Sequence, residues 1–468
     1  MDTLFFGKIF RFHLLFLFSF LFASCGGGSG DNQATPDNNI KVQSMIVPLA
    51  TDNVAPLDNE LWQVDNSGDF KLIKDIYPGG SSNPQHLTEF NGKFYFSADD
   101  GSHGTELWVT DGTVDGTAML KDINSGAGSS YPYQLVTFNG KLYFQADDGS
   151  NSYELWVTDG TKAGTVMLKD IHPSGGSYPA YFTKLNNKLI FQANNGTTGT
   201  ELWVTDGTTT GTIILKDIDN GSVSGSPIFF IEFNNAVYFT AHGGTNGSEL
   251  WVTDGTTTGT KMLKDINPGG SSYPAYFTQL NGKLYFQATD ASNGYKLWVT
   301  DGTTDGTVVL AANNVLPIAS NPAHLTVYNG KIYFAASYGN NGYELWVTDG
   351  TASGTVLVRD INSGSIGSNP HSFTEFNGKL YFVANDGTNG IELWVTDGTA
   401  NGTILVKDIN KSGNSTPYII GEFGNTLYLA TSSDGNTLWK TDGTEAGTVQ
   451  VIQNSAGFIV PVPKSYPN

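Results

Sequence analysis

The sequence predicts an all-β protein, a β-propeller of four-stranded antiparallel blades closed by strands from both ends of the chain. Three observations lead there. All nine tryptophans of the 468 residues recur at intervals of 45 to 48 residues. Each interval holds four short runs rich in β-branched and aromatic residues, separated by Asn-Gly, Asp-Gly or Pro/Gly/Ser segments. No stretch of the repeats keeps a helical period. Four strands every 40 to 50 residues, repeated, is the pattern of propeller blades.

One period shows how each element is read. Tyr133–Phe138 is an innermost strand ending at the Asn139-Gly140 turn, and Lys141–Ala146 is its hairpin partner. After Asp147-Asp148-Gly149 the third strand, Glu154–Thr158, ends at Asp159-Gly160-Thr161. The fourth, Thr165–Ile171, runs into a Pro/Gly/Ser loop. Asn-Gly and Asp-Gly supply the positive φ that tight hairpins require. Gly (57 residues) and aromatics (12%) are abundant and charged residues scarce (15%), as many short strands on tight turns demand.

The tryptophans Trp62, Trp108, Trp156, Trp203, Trp251, Trp298, Trp346, Trp394 and Trp439 sit in copies of Glu-Leu-Trp-Val-Thr-Asp-Gly-Thr, intact at 201–208 and 344–351. Identity from copy to copy marks them as packing positions. The copies resemble the ELWxxDGT-repeat family of bacterial surface proteins over roughly residues 45–452, a resemblance that implies the repeat and little about activity. Eight units are complete, and Met45–Ala50 aligns with Lys93–Ala98, so the N-terminus supplies three strands of a further blade. With Phe458–Val462 as its innermost strand the ring has nine blades. The alternative is eight blades and a terminal appendage.

Lys8 and Arg11 precede the apolar run 14–22, then Ala23, Ser24 and Cys25. This reads as a signal peptide over residues 1–24. Cys25 is the only cysteine, so no internal disulfide forms. Phe22-Ala23-Ser24-Cys25 resembles a bacterial lipobox, which implies lipidation of Cys25 and a membrane anchor. Gly26 after the cysteine resembles outer-membrane sorting, giving a cell-envelope lipoprotein that faces the periplasm or the surface. Residues 25–40, with Gly26-Gly27-Gly28-Ser29-Gly30, form a flexible tether. Residues 41–463 are the propeller and 464–468 a tail.

The formal charge of −20 becomes −21 when residues 1–24, with Asp2, Lys8 and Arg11, are removed. Such a surface repels nucleic acids. The aspartate-rich hairpins resemble sialidase Asp-boxes, but a sialidase needs three arginines and only Arg359 lies outside the leader. His86, His103, His172, His242, His324 and His371 are scattered without a zinc-protease motif. No catalytic residue and no cofactor are assigned. Asp99, Asp100, Asp147 and Asp148 are the calcium candidates, because oxygen ligands suit that ion, although the doublets give way to Asn194-Asn195 and Gly243-Gly244 elsewhere.

Copies differ around the proline that opens each innermost strand. Tyr131, Tyr178 and Tyr273 precede it; Tyr181, Tyr276 and His324 follow two places on, and His371 one place on. These seven are the ligand candidates, on the face shared with the acidic loops and opposite the Asn-Gly and Asp-Gly turns. The expected function is a non-catalytic binding or scaffolding propeller for a glycan or a protein or peptide at the cell surface; the alternative is a secreted hydrolase or lyase using carboxylates. Cys25→Ser is expected to release the protein from membranes or leave it unprocessed. Labelling with a palmitate analogue checks this, and a mutant that still takes up label refutes the anchor.

Overall fold

The computed structural model describes residues 44–51, 58–65, 70–291, 294–310, 320–339, 341–431, 437–451 and 458–459. Cys25, the leader, the tether, the tail and residues 460–462 of the proposed closing strand lie outside them. The chain is an all-β propeller of four-stranded antiparallel blades. Eight blades, spanning residues 85–121, 133–169, 180–216, 228–264, 275–309, 320–359, 371–407 and 418–450, each fold from four consecutive strands of one repeat. Among the described residues no helix is long and apolar enough to cross a membrane.

A ninth four-stranded sheet is composite. Ser44–Thr51, Asp58–Asp65 and Phe70–Lys74 come from the N-terminal side, and Phe458–Ile459 pairs with the first of them at Ala50↔Ile459 and Thr51↔Phe458. The sequence expectation was a ninth blade of three N-terminal strands closed by Phe458–Val462, and of that closing run Phe458–Ile459 is seen to pair. Eight contiguous blades match the alternative count, and the remaining sheet departs from the repeat, with a two-residue closing strand. It packs on both sides: Leu61, Ile73 and Ile76 cluster with Phe96 and Trp108, and Trp62 packs against the cluster of Ala430 and Leu438.

The expected strand positions hold to within a residue or so, except at the fourth strand. It keeps Val166–Lys169 and releases Asp170-Ile171 from the ladder. Just before that release a bulge pairs Leu155 with Lys169 but Trp156 with Met167. The extra residue bends the outer strand, and the same shift recurs in most blades.

A blade has no core of its own. The middle strands are buried on both faces, so the apolar clusters lie in the seams. Tyr143, Leu155 and Val157 of one blade meet Leu189, Phe191 and Trp203 of the next. Burying aromatic side chains of this size supplies the largest favourable energies of the fold. Polar latches cross the same seams. Lys74, Lys121, Lys169, Lys264 and Lys407 each donate from Nζ to a threonine carbonyl of the following blade at 2.6–2.8 Å. Arg359 donates likewise to Thr403.

Deleting residues 456–468 removes the strand paired with Ala50 and Thr51. We expect the melting temperature to fall by at least about 5 °C, far beyond the cost of trimming a loose end. An unchanged calorimetric melt would show that the closing strand contributes nothing.

Candidate functional site

The loops joining one blade to the next are fixed by a group that sequence reasoning treated as part of a packing motif. The glutamate of Glu-Leu-Trp is buried in seven copies (Glu60, Glu106, Glu154, Glu201, Glu249, Glu344, Glu392). Glu154 accepts from Ile171 N (2.8 Å), Ser177 N (3.0 Å) and Ser177 Oγ (2.7 Å). Glu106, Glu249, Glu344 and Glu392 repeat this with Ser130, Ser272, Ser368 and Ser415. The signal was present as a Ser-X-Pro 23–24 residues after those glutamates.

The carboxylate thus pins the residue two places before the opening proline in these copies. Tyr131 N and Tyr178 N also donate to Thr105 O and Tyr153 O of the preceding blade, at 3.2 and 3.1 Å. So held, the eight pre-proline residues adopt φ between +44° and +53°, and the residues two places after the proline reach +53° to +59° in seven blades. Pre-proline residues ordinarily stay extended. A bulky left-handed residue costs of order 1–3 kcal/mol and persists only where surroundings impose it.

That backbone throws three candidate tyrosines outward. Tyr131, Tyr178 and Tyr273 are 53, 54 and 50% exposed, while the other large hydrophobic side chains exposed among the described residues are Val and Ile. Two partners were missed. Tyr153 stacks on Tyr178 at 5.4 Å between centroids, and burial, Asp147, Tyr131 and Tyr178 together push its pKa up. Burial and then Tyr273 push the pKa of Tyr295 up in the same direction. The residue before Glu-Leu-Trp is the position that carried this signal.

The other four candidates lie elsewhere. Tyr181, Tyr276, His324 and His371 are part-buried on the innermost strands, which lie side by side around the ring. There Tyr276, His324 and His371 form a chain, with centroids 5.6 and 6.2 Å apart, and His86 meets Tyr133 edge-on at 4.7 Å. Burial lowers His86 and His324 to about 4 and lowers His371 as well. At neutral pH these three histidines are therefore uncharged. The seven candidates therefore divide between an exposed rim and an inner wall.

Each calcium candidate gives its Oδ1 to its own hairpin. Asp148 Oδ1 accepts from Ser150 N and Asn151 N at 2.9 and 2.8 Å, and Asp100 does the same with Ser102 and His103. Asp99 and Asp147 bond Gly101 N and Gly149 N at 2.7 Å. Asn194 and Asn195 make the equivalent bonds without a charge. Turn-building accounts for the doublets, and no group of three or more His, Cys, Asp or Glu is placed to hold a metal ion among the described residues. On the opposite face Asp159 Oδ1 accepts from Thr161 N and Oγ1, with Gly160 at φ +93°.

No family model matches the chain. No curated protein matches it either. Solved structures similar in fold include a puromycin hydrolase (14% identity, TM-score 0.38, 70% of this chain and 55% of that one). Structures from a study of two prolyl endopeptidases match at 10% identity, TM-score 0.41, over 76% and 54%. The chain spans about half the length of these structures.

Glu201 differs from the other six glutamates because Gly225 stands where a serine hydroxyl would bond it. Burial raises its pKa to about 7, with Asp217 and Asp219 adding to the shift. Relative to an unfolded value near 4.5, its contribution to stability is full below pH 4.5 and is lost as pH rises through 7. Glu201→Gln should therefore gain stability relative to the wild type between pH 5 and pH 8, as read from paired melting curves. Glu154→Gln, which loses a carboxylate bonded by Ser177, should show a smaller gain; equal slopes would refute the role of the missing hydroxyl.

Proposed function

We propose that the protein is a non-catalytic binding propeller of the cell envelope, anchored through Cys25, that takes a neutral glycan chain on its tyrosine-bearing face. In this reading the composite sheet acts as the ring-closing ninth blade, and the repeat is that of the ELWxxDGT family. The observation that carries it is the trio Tyr131, Tyr153 and Tyr178, two of them more than half exposed on backbone held in a costly conformation. Solvent-facing aromatic rings gain energy when a ligand covers them, and their hydroxyls bond polar groups at the edge. A sugar ring offers both surfaces. The strongly negative chain disfavours anionic polymers. The absence of chemistry is supported by the motif glutamates, whose oxygens are bonded inside the loops.

The test is affinity electrophoresis on gels containing dextran, xylan or mannan. Retardation by at least one of them is expected. Tyr131→Ala, Tyr153→Ala and Tyr178→Ala should each weaken it roughly fivefold or more, with losses that accumulate and melting temperatures within a few degrees of the wild type. Retardation kept by the triple variant would place the ligand elsewhere.

A further inference from the structure

Two neighbouring innermost strands bring histidines together on the inner wall. His324 of the blade at 320–359 and His371 of the blade at 371–407 have ring centroids 6.2 Å apart, with planes tilted by 56°. The second of these blades departs from the pattern to achieve this. Two places after the opening proline the preceding blades carry Tyr276 and His324, whereas this one carries Ser372 and sets its ring one residue earlier. His324 is held on backbone at φ +58°, with the Tyr276 ring 5.6 Å from its own.

Hydrogen bonding fixes what each ring offers. His371 Nδ1 lies 3.1 Å from Val383 O, within the ladder pair His371↔Val383. A carbonyl only accepts, so Nδ1 carries the hydrogen and Nε2 keeps its lone pair. Val383 belongs to the second strand of the same blade, and Nε2, on the opposite flank of the ring, faces away from that strand. Metal-ligating histidines are oriented in the same way, by donating the other ring N–H to a backbone carbonyl. His324 accepts through its backbone carbonyl from Thr326 Oγ1 at 3.2 Å, and its ring nitrogens make no hydrogen bond among the described residues. Burial holds both imidazoles below their ordinary pKa, so each is in the neutral, ligating form at pH 7.

The separation selects the metal. With a metal–nitrogen bond of about 2.0 Å, each ring centroid stands about 3.2 Å from the ion. Two imidazoles on opposite sides of one ion are then about 6.3 Å apart, and two at the tetrahedral angle about 5.2 Å. The observed 6.2 Å fits the first arrangement. Tetrahedral zinc is thereby disfavoured, and it also asks for three or four protein ligands. Square-planar or tetragonal coordination by nitrogen and oxygen is the preference of copper(II), which also heads the affinity order of the divalent first-row metals. We propose that His371 Nε2 and a ring nitrogen of His324 bind one copper(II) ion between them, with water completing its coordination. The site concerns binding alone and is independent of the glycan reading.

The probe is copper(II) sulfate, titrated into the full chain at neutral pH and followed by calorimetry and electron paramagnetic resonance. One equivalent should bind with a Kd of roughly 10 µM or tighter, and its spectrum should show splitting by two nitrogens. Zinc(II) should bind at least about tenfold more weakly. His324→Phe and His371→Phe, which keep an aromatic ring in the wall, should each weaken copper at least about tenfold and melt within a few degrees of the wild type. His86→Phe should leave the titration unchanged, because His86 stands against Tyr133 with no second imidazole beside it among the described residues. Absence of a tight equivalent, or one that survives both the His324→Phe and the His371→Phe change, overturns the proposal. Zinc bound as tightly as copper, or a spectrum split by one nitrogen, overturns it as well.

Discussion

Seven glutamates give up hydration to lie between strand and loop, and desolvation, which raises their pKa values, measures what that costs. Each recovers energy from two to four hydrogen bonds, and without them a buried carboxylate could not persist. Everything on the variable face depends on this exchange. The carboxylate takes the amide that leaves the fourth strand and the amide and hydroxyl that precede the next blade. The turn into the following proline is thereby set, whatever side chain stands between. Tyrosine, asparagine, serine or threonine can occupy that place because the backbone there does not depend on it.

The seams carry the stability and the clamps carry the geometry. Because each blade buries its apolar faces only against neighbours, energy is added seam by seam, as in other repeat architectures. Redundancy of this kind lets the blade at 180–216 carry Ile190 where six other blades carry a tyrosine that reaches the next blade's Asp-Gly-Thr turn. It also lets the blade containing Lys296 exchange carboxylate for ammonium, with Nζ bonded to Ser320 Oγ at 2.6 Å.

The fold was legible because its determinants are local and repeated. Period, turn dipeptides and alternation placed every strand of the eight blades. The composite sheet was legible as an alignment of Met45–Ala50 with Lys93–Ala98 and as the closing run Phe458–Val462, of which Phe458 and Ile459 pair with Thr51 and Ala50. Of the site, sequence variation singled out Tyr131, Tyr178 and Tyr273, which the structure exposes. It also grouped with them Tyr181, Tyr276, His324 and His371, which face the inner wall, because one or two residues along a strand change the surface reached. The glutamate's role was hidden by its recurrence in seven of the nine copies. Packing and buried hydrogen bonding both keep a residue constant, and only coordinates tell them apart.

The composite sheet makes the order of synthesis matter. Its three N-terminal strands are synthesised before the eight contiguous blades, and the segment that pairs with the edge at Ala50 and Thr51, Phe458–Ile459, after them. Until then the chain carries an unpaired edge along Ser44–Thr51, a row of free amides and carbonyls on the apolar sequence Met45-Ile46-Val47-Pro48-Leu49. Such an edge invites pairing with another chain. Pro48, which has no amide to offer, is the one interruption in that row. A nascent or truncated form of this protein is thus more exposed to strand-mediated association than the finished ring.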